Sequence, residues 1–336
     1  MALIIRDYSA EDADAVAALL HEVLPYLVTT PPGVHAQVTA APARQRYRAL
    51  LAEEDGRLVG CARVGLFADS SDAGLGFANL NVVRSARGRG VGSALLAAAE
   101  AHLASIGART AYCYAEDAPA AHRFAARYGY RRGRSSRFLR LDLGAELPAV
   151  PEPAAGTGTV RLLPAAHWTD DPRPLYEADL ESFQDEPSDV ASDSLSYEDW
   201  RRITWDRPEF DAALTTVAEV DGQVAALVIA HTDGGARYFS AGTGTRRAFR
   251  GRGLAKAAKA HSLHLARAAG YRTAFTGNDD GNAPMLAVNR WLGYRTCATE
   301  VRYFRDLADG DTADRDSTDG DSTGTAGSEP AVTASD

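Results

Sequence analysis

Apolar residues in this chain recur with two spacings, and the switches between them mark out its elements. Val16, Leu19, Leu20, Val23 and Leu24 fall at helical spacing behind Ser9, a candidate cap, and predict an early helix with one buried face. Leu95, Leu96, Ala99, Leu103 and Ile106 form a second helical stripe, which Gly107 is suited to end. Shorter apolar runs read as strands. Two of them flank Asp55-Gly56, and two more flank Asp221-Gly222; each pair predicts a tight hairpin.

The pattern repeats. An apolar strand opens residues 3–5 and again 160–163; Asp-Gly hairpins stand at 55 and 221, glycine-rich segments at 87–92 and 250–255, and Gly-Tyr pairs at 129 and 293. All four landmarks keep one order, and the last three a nearly constant offset of 163 to 166 residues, which predicts a duplicated domain. Residues 144–158 carry three prolines and no apolar periodicity, so they read as a linker. The predicted organisation is a domain over 1–143, the linker 144–158, a domain over 159–306 and an acidic tail over 307–336, expected to be disordered.

Composition narrows the possible functions. The 336 residues carry 36 basic and 45 acidic side chains, a formal charge of −9, yet nine of the acids lie between 306 and 336 beside a single Arg. The remaining body is near neutral and shows no basic stripe, which argues against a nucleic-acid partner. No run is long and apolar enough to suggest a membrane span. The three cysteines (Cys61, Cys113, Cys297) are widely separated, and the start of the chain lacks a signal-like pattern, so a reducing, cytoplasmic setting is expected. His261 and His264 lie three apart without an evident third ligand, and no metal is expected.

The glycine-rich segments carry the chemistry. Each follows a strand-like run (77–83, 238–245) and opens a helix, so successive backbone N–H groups and the helix N-terminus can converge on an anion. Arg87, Arg89, Arg250 and Arg252 add cations suited to phosphate. The spacing departs from a Rossmann fingerprint, and the G-K-[ST] of a P-loop is absent.

Arg87, Gly90 and Gly92, and again Arg250, Gly253 and Ala255, fit the string R-x-x-G-x-[GA]. This resembles the acyl-CoA pyrophosphate motif of the GNAT superfamily of N-acetyltransferases. Residues 282–294, an Asn followed by a helical stretch ending in Gly-Tyr, resemble the family's second signature. The first half is a weaker match, with Glu116 or Asp117 where Asn is usual. The tandem layout is similar to two-domain members of mycothiol synthase-like architecture.

The resemblance implies an α+β fold of two tandem GNAT-like domains, each a mixed, mostly antiparallel sheet flanked by helices, with two strands splayed around acetyl-CoA as co-substrate. Its contacts would be Val82, Val83, Arg87, Gly88, Arg89, Gly90, Val91, Gly92 and Ser93 in the first half. In the second they would be Gly244, Thr245, Arg250, Gly251, Arg252, Gly253, Leu254, Ala255 and Asn282. A backbone N–H near 81–83 or 244–246 would polarise the thioester carbonyl. The implied reaction is direct attack by a primary amine of a small molecule. The second half is expected to be the catalytic one, because its second signature is the fuller.

A base and an acid are harder to name. Neither strand before a glycine turn holds an acid; Glu219 and His231 are the nearest candidate bases in the second half. The usual acid Tyr is replaced by Ala125 and Asn289, leaving the Asn289 amide or Tyr303 as donors. An ordinary thiol has a pKa near 8.5, so releasing a thiolate at neutral pH costs only about 2 kcal/mol. For the amine, Asp185, Glu186 and Asp189 could supply negative charge, and Trp200 a cation–π face. The same residues also fit a solvated acidic loop. A non-catalytic acyl-CoA sensor or scaffold and a protein acetyltransferase are the alternative readings.

Overall fold

The computed structural model describes residues 2–184, 188–191 and 193–307. The acidic tail beyond 307 and the candidate substrate residues Asp185 and Glu186 lie outside them. The first half runs β1 (Leu3–Asp7), α1 (Ala13–Val23), α2 (Pro31–Thr39), β2 (Arg48–Glu54), β3 (Arg57–Leu66), β4 (Leu75–Val82), α3 (Val91–Ser105), β5 (Thr110–Glu116), α4 (Pro119–Arg127) and β6 (Arg131–Asp142). The second repeats the order: β7 (Val160–Pro164), α5 (Arg173–Phe183), α6 (Tyr197–Trp200), β8 (Thr216–Val220), β9 (Gln223–Thr232), β10 (Arg237–Thr245), α7 (Leu254–Ala268), β11 (Thr273–Asp279), α8 (Ala283–Trp291) and β12 (Arg295–Asp306).

Local signals hold where the chain must turn. Both residues of Asp55-Gly56 and of Asp221-Gly222 have positive φ, the backbone that a two-residue hairpin requires. Gly107 and Gly270, just past α3 and α7, have φ of 78° and 92°. In α1, Val16, Leu19 and Leu20 are buried, as their spacing predicts. The fold is α+β, a mixed sheet flanked by helices.

What the pattern of each half does not reveal is the order of the strands. All twelve form one sheet, β1-β2-β3-β4-β5-β12-β6-β11-β10-β9-β8-β7. The last strand of each half has crossed to the other. β12 pairs with β5 (Tyr303 opposite Cys113, Glu300 opposite Glu116), and β6 pairs with β11 (Leu139 opposite Thr276). The two exchanged strands also pair with each other. Val301 and Tyr303 are buried in the first half's core with Leu95, Leu96 and Leu103 of α3. Leu139 and Leu141 of β6 enter the second half's core with Leu263 of α7. Residues 144–158 form no helix or strand, but Leu147 is buried in that second core.

Each half has its one parallel pair at the middle of its strands, and there the ladder stops early. β4 and β5 pair only from Leu75 opposite Thr110 to Phe77 opposite Tyr112. β10 and β11 pair only from Arg237 opposite Thr273 to Ser240 opposite Thr276. Beyond those pairs two clefts open. In the second half a bulge between Ser240 and Gly242 accompanies the parting; the β3–β4 ladder keeps its register.

Candidate active site

Each cleft leads to its glycine turn. Gly88 and Gly90 have φ of 75° and 88°, and Gly251 and Gly253 of 77° and 79°. A Cβ on any of these four would meet open space. Packing therefore does not demand glycine there; the left-handed backbone does, and the bare outer face is left for an approaching group. The first intrahelical bonds run from Ala94 N–H to Gly90 and from Ala257 N–H to Gly253, so the amides of Val91, Gly92 and Ser93, and of Leu254, Ala255 and Lys256, precede them. These backbone groups and the helix N-termini suit a diphosphate. The Ser93 hydroxyl accepts from the Tyr128 hydroxyl at 2.7 Å, which leaves its own O–H, as well as its backbone N–H, to offer. Asn282 caps α8, its side chain accepting from Met285 N–H at 3.2 Å.

The arginine that opens each turn plays the same part twice. Arg87 donates from Nε to the Val82 carbonyl, and Arg250 from Nε to the Thr245 carbonyl, each at 3.1 Å. The amides of Val83 and Arg246 are committed to Val59 and Ala225 of the neighbouring strand. Alternation along a strand then turns the N–H and C=O of Val82 and Thr245 toward the cleft. Of the N–H groups expected to polarise a carbonyl, those of Val82 and Thr245 keep that orientation; those of Val83 and Arg246 do not.

Around the first cleft stand side chains from both halves. On the face covered by α1 and α2, Asn79 bridges the parting strands by accepting the Tyr114 N–H at 3.1 Å. On the same face Glu300, carried in by β12, lies opposite Glu116 and accepts the Tyr26 hydroxyl at 2.5 Å. Burial raises the Glu300 carboxyl above the ordinary range and nearby Glu116 adds to this, while the Tyr26 hydroxyl and Arg63 pull the other way. On the opposite face, the Tyr303 hydroxyl hydrogen-bonds His122 Nδ1 of α4. His122 Nε2 lies 2.9 Å from Asp117, which also meets Arg132 at 3.3 Å. A carboxylate, an imidazole and a phenol thus form one chain beside β5.

A cavity of about 270 Å³, open to solvent, adjoins Asn79 and Phe77 on the α2 face and is lined from the other half by Arg202, Ile203 and Arg207. The halves are locked together beneath it. Glu209, fully buried, accepts the Thr30 hydroxyl at 2.9 Å and pairs with Arg207 at 2.9 Å. A Cβ on Gly33 would run into that carboxylate, which accounts for glycine in the first turn of α2.

Comparison with known proteins meets this geometry. Residues 45–132 match the acetyltransferase (GNAT) domain, and residues 171–294 match the acetyltransferase (GNAT) family. The chain belongs to the GNAT superfamily, as a tandem member. It is similar to a GCN5-related N-acetyltransferase from Sphaerobacter thermophilus: 21% identity over 91% of this chain and 96% of that one, TM-score 0.66. A tandem GNAT protein from the clavulanic acid biosynthesis pathway shares 20% identity over 91% and 99%, TM-score 0.68. A protein from Pyrococcus horikoshii shares 12% over 90% and 89%, TM-score 0.54. No curated protein matches the chain.

For a GNAT protein the residues named from the second half alone fall differently from expectation. Glu219 on β8 is buried, and both Nε and Nη2 of Arg161 grip its Oε1, at 2.9 and 2.5 Å. His231 is half-buried with its Nε2 enclosed, and desolvation, with Arg207 adding to it, drives its imidazole down to about 3, so it stays neutral. Asn289 is fully buried with its amide given to Asn278 at 2.6 Å, which ties α8 to the parted end of β11. Tyr303, a candidate donor on the last strand, is delivered to the first cleft by the exchange of strands. Trp200 is no cover for an exposed amine: it is buried among Tyr176, Tyr197 and Trp205, with its Nε1 on Asp179 at 2.8 Å. Asp189 lies 3.9 Å from Arg302, over the first half.

Glu300, Tyr26, His122 and Asp117 were not singled out as catalytic candidates from the sequence. Glu300 is the one acid on β12 before its terminal Asp306. That signal gains meaning only once the neighbour of β12 is known.

Proposed function

We propose that this GNAT protein transfers an acetyl group from acetyl-CoA to the primary amine of a small molecule, and that the reaction takes place in the first cleft. Acetyl-CoA supplies the activated thioester; the amides of 88–93, with Val82 N–H, are the groups that would hold its diphosphate and carbonyl. Glu300 carries this reading. It is a carboxylate of raised proton affinity beside the opening of β4 and β5, on the face where an acceptor can enter. There it takes the proton that the attacking amine must lose. Tyr303, backed by His122 and Asp117, holds a proton on the other face for the departing sulfur. The small cavity shared by α2 and the 201–207 segment favours a small acceptor over a protein surface.

The second cleft supports a binding role. Its glycine turn is intact, while Glu219 and Asn289 are committed to structural partners. The three cysteines are free thiols, in keeping with a reducing, cytoplasmic setting. The test is direct: purified protein is mixed with acetyl-CoA and a panel of amines while free thiol is followed. Turnover with at least one amine is expected. Absence of turnover together with absence of calorimetric acetyl-CoA binding overturns the reading, and tight binding without turnover leaves only a sensor.

A further inference from the structure

The cavity between the halves carries a charge pattern that acyl transfer alone does not require. Arg63 of β3 and Arg202 and Arg207 of the 201–207 segment line it, and no carboxylate is among the lining residues. Arg207 is neutralised by Glu209 at 2.9 Å. Among the described residues Arg202 makes a long contact, 3.7 Å, with Asp199, an acid that Arg44 shares at 3.6 Å. The Nε of Arg63 is buried and has no hydrogen-bond partner among the described residues. An N–H of a charged group buried without an acceptor costs free energy that a bound anion would recover.

The position of these groups matters as much as their charge. Arg63 lies directly across the β3–β4 ladder from Asn79, and Asn79 spans the mouth of the first cleft. Arg63 is also near enough to Glu300 to lower its proton affinity. Glu300 does not itself line the cavity; Arg63 and Asn79, which do, are the groups that lie between the two. Its volume of about 270 Å³ suits a molecule the size of an amino acid.

We propose that this cavity receives an acceptor that carries a carboxylate as well as its amine, an amino acid or close relative. The carboxylate sits on Arg63 and Arg202, and the amine is directed past Asn79 toward Glu300. The planar guanidinium fork suits a planar carboxylate. The proposal rests on the first cleft being the reactive one, and its test separates the two claims.

Full-length protein is assayed with pairs of amines that differ only by a carboxylate, such as lysine and cadaverine. In parallel, glutarate and inorganic phosphate are titrated calorimetrically without acetyl-CoA. The carboxylated member is expected to have the higher kcat/KM, and Arg202→Ala to raise its KM about tenfold or more with kcat nearly unchanged. Arg202→Ala should also weaken glutarate binding, whereas Arg57→Ala, on the exposed β2–β3 hairpin, should alter neither. Turnover that ignores the carboxylate, or an Arg202→Ala enzyme with unchanged KM, overturns the inference and leaves the first-cleft reading intact. Glutarate binding lost in Arg202→Ala, with no amine acetylated, upholds the anion site and sinks the reaction. Phosphate binding tighter than glutarate overturns the carboxylate assignment.

Discussion

The two halves share a backbone and a phosphate-gripping turn and differ in what surrounds their clefts. Beneath the second cleft lies a buried polar cluster. Lys259 is fully buried, donates to Thr276 at 3.2 Å and faces the Tyr294 ring at 5.5 Å. Thr276 donates in turn to the Ser240 carbonyl, and Asn289 binds Asn278. One repeat earlier, the positions of Lys259, Thr276 and Asn289 hold Leu96, Cys113 and Ala125, all packed in the apolar core of the first half. The first half instead adds two polar groups from outside its own block, Glu300 and Tyr303 on β12, to its own Asn79, Tyr26, His122 and Asp117. Duplication preserved the feature that backbone geometry alone supplies and let the side chains diverge. The exchange of strands then made the first half depend on the second for Glu300 and Tyr303, while the second half takes core residues, Leu139 and Leu141, from β6.

The sharpest way to break this comparison is Glu300→Gln. If the first cleft reacts, the amide lowers kcat by about 100-fold or more, the range for a lost general base, while thermal stability holds because Gln can still accept from Tyr26. Next come the paired arginines. Arg87→Ala should raise the KM for acetyl-CoA about tenfold, whereas Arg250→Ala should leave turnover nearly unchanged. Steady-state kinetics on both variants checks this, and the opposite ranking would return the reaction to the second half. Tyr303→Phe keeps the ring in the core and removes the proton, so a fall of about tenfold or less in kcat is expected, and His122→Ala added to it should cost little more.

Smaller effects sharpen the contrast from the second half. Burial lowers the Lys259 ammonium from 10.5 to about 7. Between those values the unfolded chain binds a proton that the folded one does not, so stability rises with pH across that window. Denaturant melts from pH 7 to 10 should show this slope in the wild type and a flatter profile in Lys259→Met. The smallest effect belongs to Glu219→Gln. Its Arg161 partner is 56% exposed, so the pair is worth at most ~1 kcal/mol and activity should stay within about twofold.

Much of this molecule is legible in its residues. Asp55-Gly56, Asp221-Gly222, Gly107 and the two glycine turns declare themselves because each needs a backbone that few other residues adopt. The helical stripes on α1 and α3 do so through burial of one face. Partner choice between strands is different. β6 and β12 each span 12 residues after a short helix, and nothing in their alternation says which neighbour each will take. Glu300 and Tyr303 could not be assigned to a cleft for that reason. Trp200 was offered as a cation–π face, because position after an acidic loop does not tell a binding aromatic from one bound for a core. Its indole settled among Tyr176, Tyr197 and Trp205, where burial is worth more than a cation–π contact in solvent.

The central claim, that the exchanged strand arms the first cleft, is tested most directly by single-turnover acetyl transfer measured against pH. In the wild type the rate should rise with pH through a limb set above the ordinary carboxylate range, as the Glu300 carboxyl loses its proton. In Glu300→Gln that limb should vanish along with most of the rate. An unchanged limb and rate in Glu300→Gln would contradict the account.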